Sequence, residues 1–404
     1  IIILATLIFY ICSSLRHAFF YSTGFDLGIY DQVVYLISQG ESPISSFLGY
    51  HHLGNHAAWA VYPLGLFYMI YPDVHWLLLL QAVCLALGSW PTWCLARLAG
   101  LNQGQAVAIA ISYLLYPVVF NLNLFDFHPE VMALPAILGA ILAARLKRLF
   151  WFCIAIIWVL GCKAVLSLTV VFIGFWLLAF EKRKSYGLIA LFLGILWFIV
   201  VTQGIIPFFS GEEVAGVGRY NYLGDSVVGI IINILLQPGA VLGKILSWET
   251  IKYIFLLFLP VIWGIFPLLQ KNQPVLPNLI PLIPTTPTII LNVLSEVSFQ
   301  RSLNYQYSLP AISFLLLTII SCLAAASQTE NPNNLIESTW IIKLKIPKFN
   351  LRLPIPNFQY PRIIILWSTL IFLLFGNVVS LFSYPRSFDT CLLYTSDAAD
   401  DVVG

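Results

Sequence analysis

Charge is what this chain has least of. Only 9% of its 404 residues are Asp, Glu, Lys or Arg, with six His besides. A water-soluble domain is typically about a quarter charged and about half apolar. Here 60% of residues are hydrophobic and the mean hydropathy is +0.89. Too little polar surface remains to cover a soluble globule, so the composition predicts a multi-pass membrane protein with the lipid bilayer as its first partner. A net charge of +2 supplies no bulk field for nucleic acid, and none is expected. The seven Cys are scattered, without CxxC or Cys/His ligand spacing, and read as packed or lipid-facing small hydrophobes. P-loop, dinucleotide-binding glycine pattern, serine-hydrolase elbow and HExxH are all missing, which argues against ATP-driven transport by this chain.

The ends are unusual. The chain opens on Ile1-Ile2-Ile3-Leu4 with neither Met nor a basic leader, and the expectation is that the numbering begins inside a first transmembrane helix. After Cys391 the composition turns small and acidic and resembles the in-frame translation of a sequencing adapter. Residues 1–390 are therefore read as one polytopic domain and 391–404 as a non-native read-through tail.

A spanning helix needs about 20 apolar residues, with a lower limit near 17. On that basis the fold class is an all-α membrane protein with about eleven transmembrane helices. They are placed near 1–20, 74–97, 104–120, 131–146, 149–161, 164–180, 186–206, 251–269, 274–292, 308–327 and 363–383. The run Pro274, Pro277, Pro281, Pro284 and Pro287 predicts a kinked or broken helix.

Alternating these spans from an inside N-terminus puts 13 of the 20 Lys and Arg on the inner side, as the positive-inside rule asks. The expected location is a bacterial inner membrane with a cytoplasmic N-terminus. Long outer loops then cover 21–73 and 207–250, and the basic inner loop 328–362 suits anionic lipid head groups. The inner turns are otherwise short and basic.

Every segment with motif character falls on the outer side. Phe25-Asp26-Leu27-Gly28-Ile29-Tyr30-Asp31-Gln32 sets two carboxylates five positions apart at a membrane surface, where charge is costly unless used or paired. In a helix that spacing separates them by about 140°, so one cavity can receive only one of them. Partial desolvation between Phe25 and Leu27 should raise the Asp26 pKa toward that of a useful general base; the structural alternative is a cap or a pair with Arg16. Asp126, His128 and Glu130 stand at a helix entry beside Pro129. Asp126 reads as an N-cap, or all three as a divalent-metal or proton-transfer set, and a divalent cation is the only cofactor contemplated. His56 is placed to line an outer cavity. Arg219 and Arg301 are scarce outer cations with the fork that grips phosphate, whereas Lys244 and Lys252 read as snorkelling.

These stretches carry a resemblance. Phe25 to Gln32, His56 with Tyr62-Pro63-Leu64, Phe127-His128-Pro129-Glu130, Tyr222-Leu223-Gly224 and Tyr305-Gln306-Tyr307 resemble a bacterial and archaeal multi-pass membrane family known as a domain of unknown function. One departure is that Ala164 and Val165 follow Lys163, where acidic residues are expected. The family is similar in layout to the GT-C glycosyltransferases, bundles with a long first outer loop bearing an essential acidic residue. That similarity implies inverting transfer from a polyprenyl-phosphate-linked sugar at the outer face, with Asp26 as catalytic base. Asp31, His56, Asp126, His128, Glu130, Arg219 and Arg301 would then contact substrate. The alternative is a transporter or flippase of a lipid-linked or small polar solute, which calls for ionisable residues near the bilayer midplane.

Overall fold

The computed structural model describes the chain except for residue 213 and the stretches 266–274, 330–339, 347–348, 356–359 and 379–404. The expected tail 391–404, Lys271, Pro274 and Arg386 lie outside the described residues. The architecture is a helical bundle. Its successive helices are α1 (Ile2–Ala18), α2 (Asp26–Ser38), α3 (His75–Leu98), α4 (Gln103–Leu124), α5 (Glu130–Arg145), α6 (Leu149–Cys162) and α7 (Leu166–Ala179). There follow α8 (Lys184–Ser210), α9 (Val227–Leu236), α10 (Pro238–Ile245), α11 (Trp248–Phe258), α12 (Val275–Leu294), α13 (Gln306–Ala326) and α14 (Tyr360–Phe375). An antiparallel hairpin of β1 (Trp340–Ile346) and β2 (Phe349–Ile355) sits within the basic segment read as an inner loop.

A helix stands at each of the eleven expected spans, but eleven is not confirmed as a count of full crossings. Among the described residues α3, α4, α8, α12 and α13 are long and apolar enough, and the pair α9–α10 makes a sixth if its two halves, bent by 89°, count as one. The physical reason is length: α6 and α7 have 14 residues each, about 21 Å at 1.5 Å per residue. The α9–α10 elbow at Gln237–Pro238 was not foreseen in the segment read as a loop.

Local chemistry sets these boundaries. Asn102 and Gln105 form a reciprocal capping box at the start of α4, at 2.9 and 3.0 Å. Pro117 opens the second half of α4 after a break at Leu115–Tyr116. As the proline run predicts, α12 is interrupted by a 3-10 turn over Ile280–Thr285. The turns after α5 and α7 carry Lys147 and Lys182 in the left-handed region, which lets the chain reverse within a few residues. Helices α7 and α8 approach through small residues: a Cβ on Gly174 would lie 2.5 Å from the Leu191 amide nitrogen.

Two polar belts mark opposite ends of the bundle. At one end Arg145, closing α5, donates to Glu181 at 2.7 Å, and Arg183 stands 3.8 Å from the same carboxylate. At the other, Glu130 opens α5 and meets Lys163, just past α6, at 2.5 Å. The apolar core fills the space between, including the fully enclosed Tyr113, Phe152, Trp176 and Phe314.

Candidate active site

The motif residues gather at the Glu130–Lys163 end. Helix α2 buries Leu27, Ile29, Tyr30, Val33 and Val34 along one face, which fixes where its carboxylates point. Asp26 and Asp31 diverge as the helical spacing predicts. Asp26 Oδ1 faces His128 Nε2 at 3.7 Å; Asp31 Oδ1 accepts the Tyr68 hydroxyl at 2.6 Å and belongs to a different part of the surface.

His128 is held from three sides. Its Nδ1 lies 2.8 Å from the Asp126 carbonyl, its ring stacks on Phe125 at 5.2 Å, and Tyr30 meets it edge-on at 6.2 Å. A carbonyl can only accept, so Nδ1 carries a proton and donates it. Nε2 therefore faces Asp26 either as the second donor of an imidazolium or as a bare acceptor with room for one proton. The arrangement is a carboxylate–imidazole dyad whose members stand just beyond hydrogen-bond distance. His128 is buried (5% side-chain exposure) and Asp26 keeps 35%, so substrate can reach only the carboxylate.

The expected rise in the Asp26 pKa does not occur. Burial pushes it up, but the nearby His128 ring, aided by Lys163, outweighs burial and holds the carboxyl below its ordinary range. Asp26 is thus fully ionised at neutral pH. Neither does Asp126 cap α5. The residue at that cap is Pro129, and Asp126 accepts from both the backbone N–H (2.8 Å) and the hydroxyl of Thr23. Burial raises the Asp126 pKa against these bonds and the nearby His128 and Arg16. Arg16 is thus coupled to Asp126 rather than to Asp26.

Glu130 is buried, with Oε1 on Lys163 and Oε2 without a hydrogen-bond partner. Asp126, His128 and Glu130 are each tied to a different neighbour, and among the described residues no three His, Cys, Asp or Glu are arranged to hold a metal ion. The divalent-cation expectation finds no ligand set here.

His56 hands its carbonyl to the Ala164 amide at 2.9 Å, tying the turn after Lys163 to the first long loop. That bond uses the backbone alone, so Ala164 and Val165 serve where acidic residues were expected. Burial and the cations Lys163 and Arg219 push the His56 pKa well below its ordinary value. Arg219 lies with its guanidinium 5.2 Å over the Tyr307 ring. Tyr307 is also within electrostatic range of Glu130 and Asp26. Arg219 thus completes a cluster with Asp26, His56, Asp126, His128, Glu130 and Lys163. Arg301 does not join it. Its Nη1 donates to the carbonyls of Asn292, Val293 and Ser295 at 3.1, 3.4 and 2.6 Å, closing the end of α12.

Local sequence did not reveal Lys163 as the partner of Glu130 or Thr23 as that of Asp126. Lys163 gave a signal, since a lone cation in an apolar turn needs a carboxylate. For Thr23 nothing in the local pattern indicated a role.

A helical bundle whose charged belts lie at its ends, and with helices long and apolar enough to cross a bilayer, is a polytopic membrane protein. The family model described as "Predicted membrane protein (DUF2079)" matches residues 16–394, and the chain belongs to that family. No curated protein matches it.

Proposed function

We propose that this protein is a GT-C-like glycosyltransferase that takes a sugar from a polyprenyl-phosphate carrier at the outer face of the bacterial inner membrane. The observation that carries the reading is the Asp26–His128 dyad with its exposed carboxylate, in a cluster that Arg219 joins through Tyr307. An acceptor hydroxyl gives its proton to Asp26 as its oxygen attacks the anomeric carbon, and the sugar–phosphate bond breaks with inversion. The proton ends on the Asp26 carboxylate. Arg219 stabilises the departing phosphate, as preorganised charge does wherever negative charge develops. Lys163 is committed to Glu130 and shapes the field. The depressed pKa makes Asp26 a constantly available base of modest strength, suited to a proton transfer that occurs late, as the leaving group departs. A carrier would need its ionisable residues near the middle of the bundle, whereas these sit at its ends.

Asp26→Asn removes the base while keeping shape. Assayed in lipid nanodiscs with a polyprenyl-phosphate sugar, it should lose about 10²- to 10⁴-fold in transfer rate with an unchanged melting temperature. Full transfer activity in that variant would overturn the assignment.

A further inference from the structure

A recess opens on the other side of α2. Four segments of chain line it. Asp31 and Tyr35 come from adjacent turns of α2, Tyr68 from the helix Gly65–Ile70, and Asp73 and His75 from the entry to α3, with His17 at the end of α1. The recess is open to the surface, with a volume of about 340 Å³.

Its chemistry is the reverse of the Arg219 side. No Lys or Arg lines it, so it offers nothing to a phosphate. Both carboxylates are fixed from behind: Asp31 by the Tyr68 hydroxyl at 2.6 Å, and Asp73 by the His75 ring and amide at 2.6 and 2.8 Å. Each spends Oδ1 on that contact, leaving Oδ2 without a protein partner among the described residues. The His75 bonds hold the Asp73 carboxyl below its ordinary range, so it is ionised at neutral pH. The His17 ring lies edge-on to His75 at 5.6 Å and bonds Ser22 at 3.1 Å. Ser22 adjoins Thr23, which holds Asp126. Two carboxylates beside the half-exposed Tyr35 ring favour a cation with carbon attached over a bare ion, because aromatic rings attract ammonium groups. The absence of a three-ligand metal arrangement among the described residues points the same way.

We propose that the recess between Asp31 and Asp73 binds an organic ammonium group, whether on a lipid head group or on a free amine. This does not depend on the transfer chemistry, since the site lacks the dyad and tests by binding alone.

The full chain in nanodiscs of anionic lipid, in amine-free phosphate buffer, is titrated calorimetrically with ethanolamine, tetramethylammonium and the uncharged isostere neopentyl alcohol. A parallel preparation contains phosphatidylethanolamine. Saturable binding of the two ammonium probes but not the alcohol is expected, weakened at least about tenfold in Asp31→Asn and in Asp73→Asn. Tyr35→Ala, at a half-exposed side chain without a hydrogen bond of its own, should weaken binding while leaving the melting temperature unchanged. Occlusion of the free probes in the phosphatidylethanolamine nanodiscs would identify the lipid head group as the source of the ammonium. Undiminished titration there would identify a free amine. Binding of the alcohol as tight as that of the ammonium probes, unchanged affinity in Asp73→Asn, or no titration by any probe with phosphatidylethanolamine absent would overturn the proposal.

Discussion

His52 should make this protein acid-labile. The ring is fully buried, its Nε2 donates to the Ala58 carbonyl at 3.2 Å, and Nδ1 has no hydrogen-bond partner. Burial dominates and pushes the pKa from 6.5 down to about 4, against the Ala58 bond, with His51 adding a little. A depressed folded-state pKa means the neutral ring is the stabilised form. Its contribution is fully present above the unfolded value near 6.5 and disappears as pH falls through about 4. At about 1.36 kcal/mol per pH unit, the loss is roughly 3 kcal/mol. His52→Gln retains a donor for Ala58 but cannot titrate. Melting of both proteins in nanodiscs, followed from pH 7.5 to 4, should show the wild type losing roughly 3 kcal/mol more than the variant, a difference of several degrees. Parallel curves would mean that His52 charges freely in the folded state and that the burial argument is wrong.

The Glu130–Lys163 pair supports a double-mutant cycle. Either Glu130→Gln or Lys163→Met strands a buried charge and should cost about 3–5 kcal/mol, while the double variant recovers most of it; additive losses in chemical denaturation would show the pair to be uncoupled. Arg301→Met should cost about 2 kcal/mol by freeing three carbonyls at the end of α12 with transfer per folded molecule unchanged, and a large drop in that specific activity would return Arg301 to the site. Gly174→Ala drives a Cβ against the backbone of α8 and should cost about 1–3 kcal/mol. Gly139→Ala, where the space is open, should be neutral or slightly stabilising by thermal melting.

Much of the site was legible because its signals are local. A spacing of five in a helix separates Asp26 from Asp31, and Phe127-His128-Pro129-Glu130 announces a helix entry with more polarity than an apolar chain needs. What escaped was pairing across the bundle. Glu130 meets Lys163 only because α5 and α6 run antiparallel. The depressed Asp26 pKa depends on an imidazole that reaches it from the entry to α5. Arg219 and Arg301 look alike as isolated cations; only the carbonyls around Arg301 tell them apart. The helices were legible from apolar runs, yet their number as full spans was not, since apolar length in the sequence counts residues that the fold spends on turns, 3-10 segments and the α9–α10 elbow.

The shortness of α6 and α7 has a consequence for the surrounding lipid. At about 21 Å each, they fall well below the roughly 30 Å hydrocarbon thickness of an ordinary bilayer. Their ends are fixed by the charged belts, and Phe150 and Trp151 face outward at one of them. These helices cannot lengthen by tilting, because tilt only shortens the distance a helix spans. Either the membrane thins beside α6 and α7, or these two helices stop short of a full crossing. A locally thinned leaflet would bring head groups toward the Glu130–Lys163 end, so lipid deformation and access to the dyad would be set by the same two short helices.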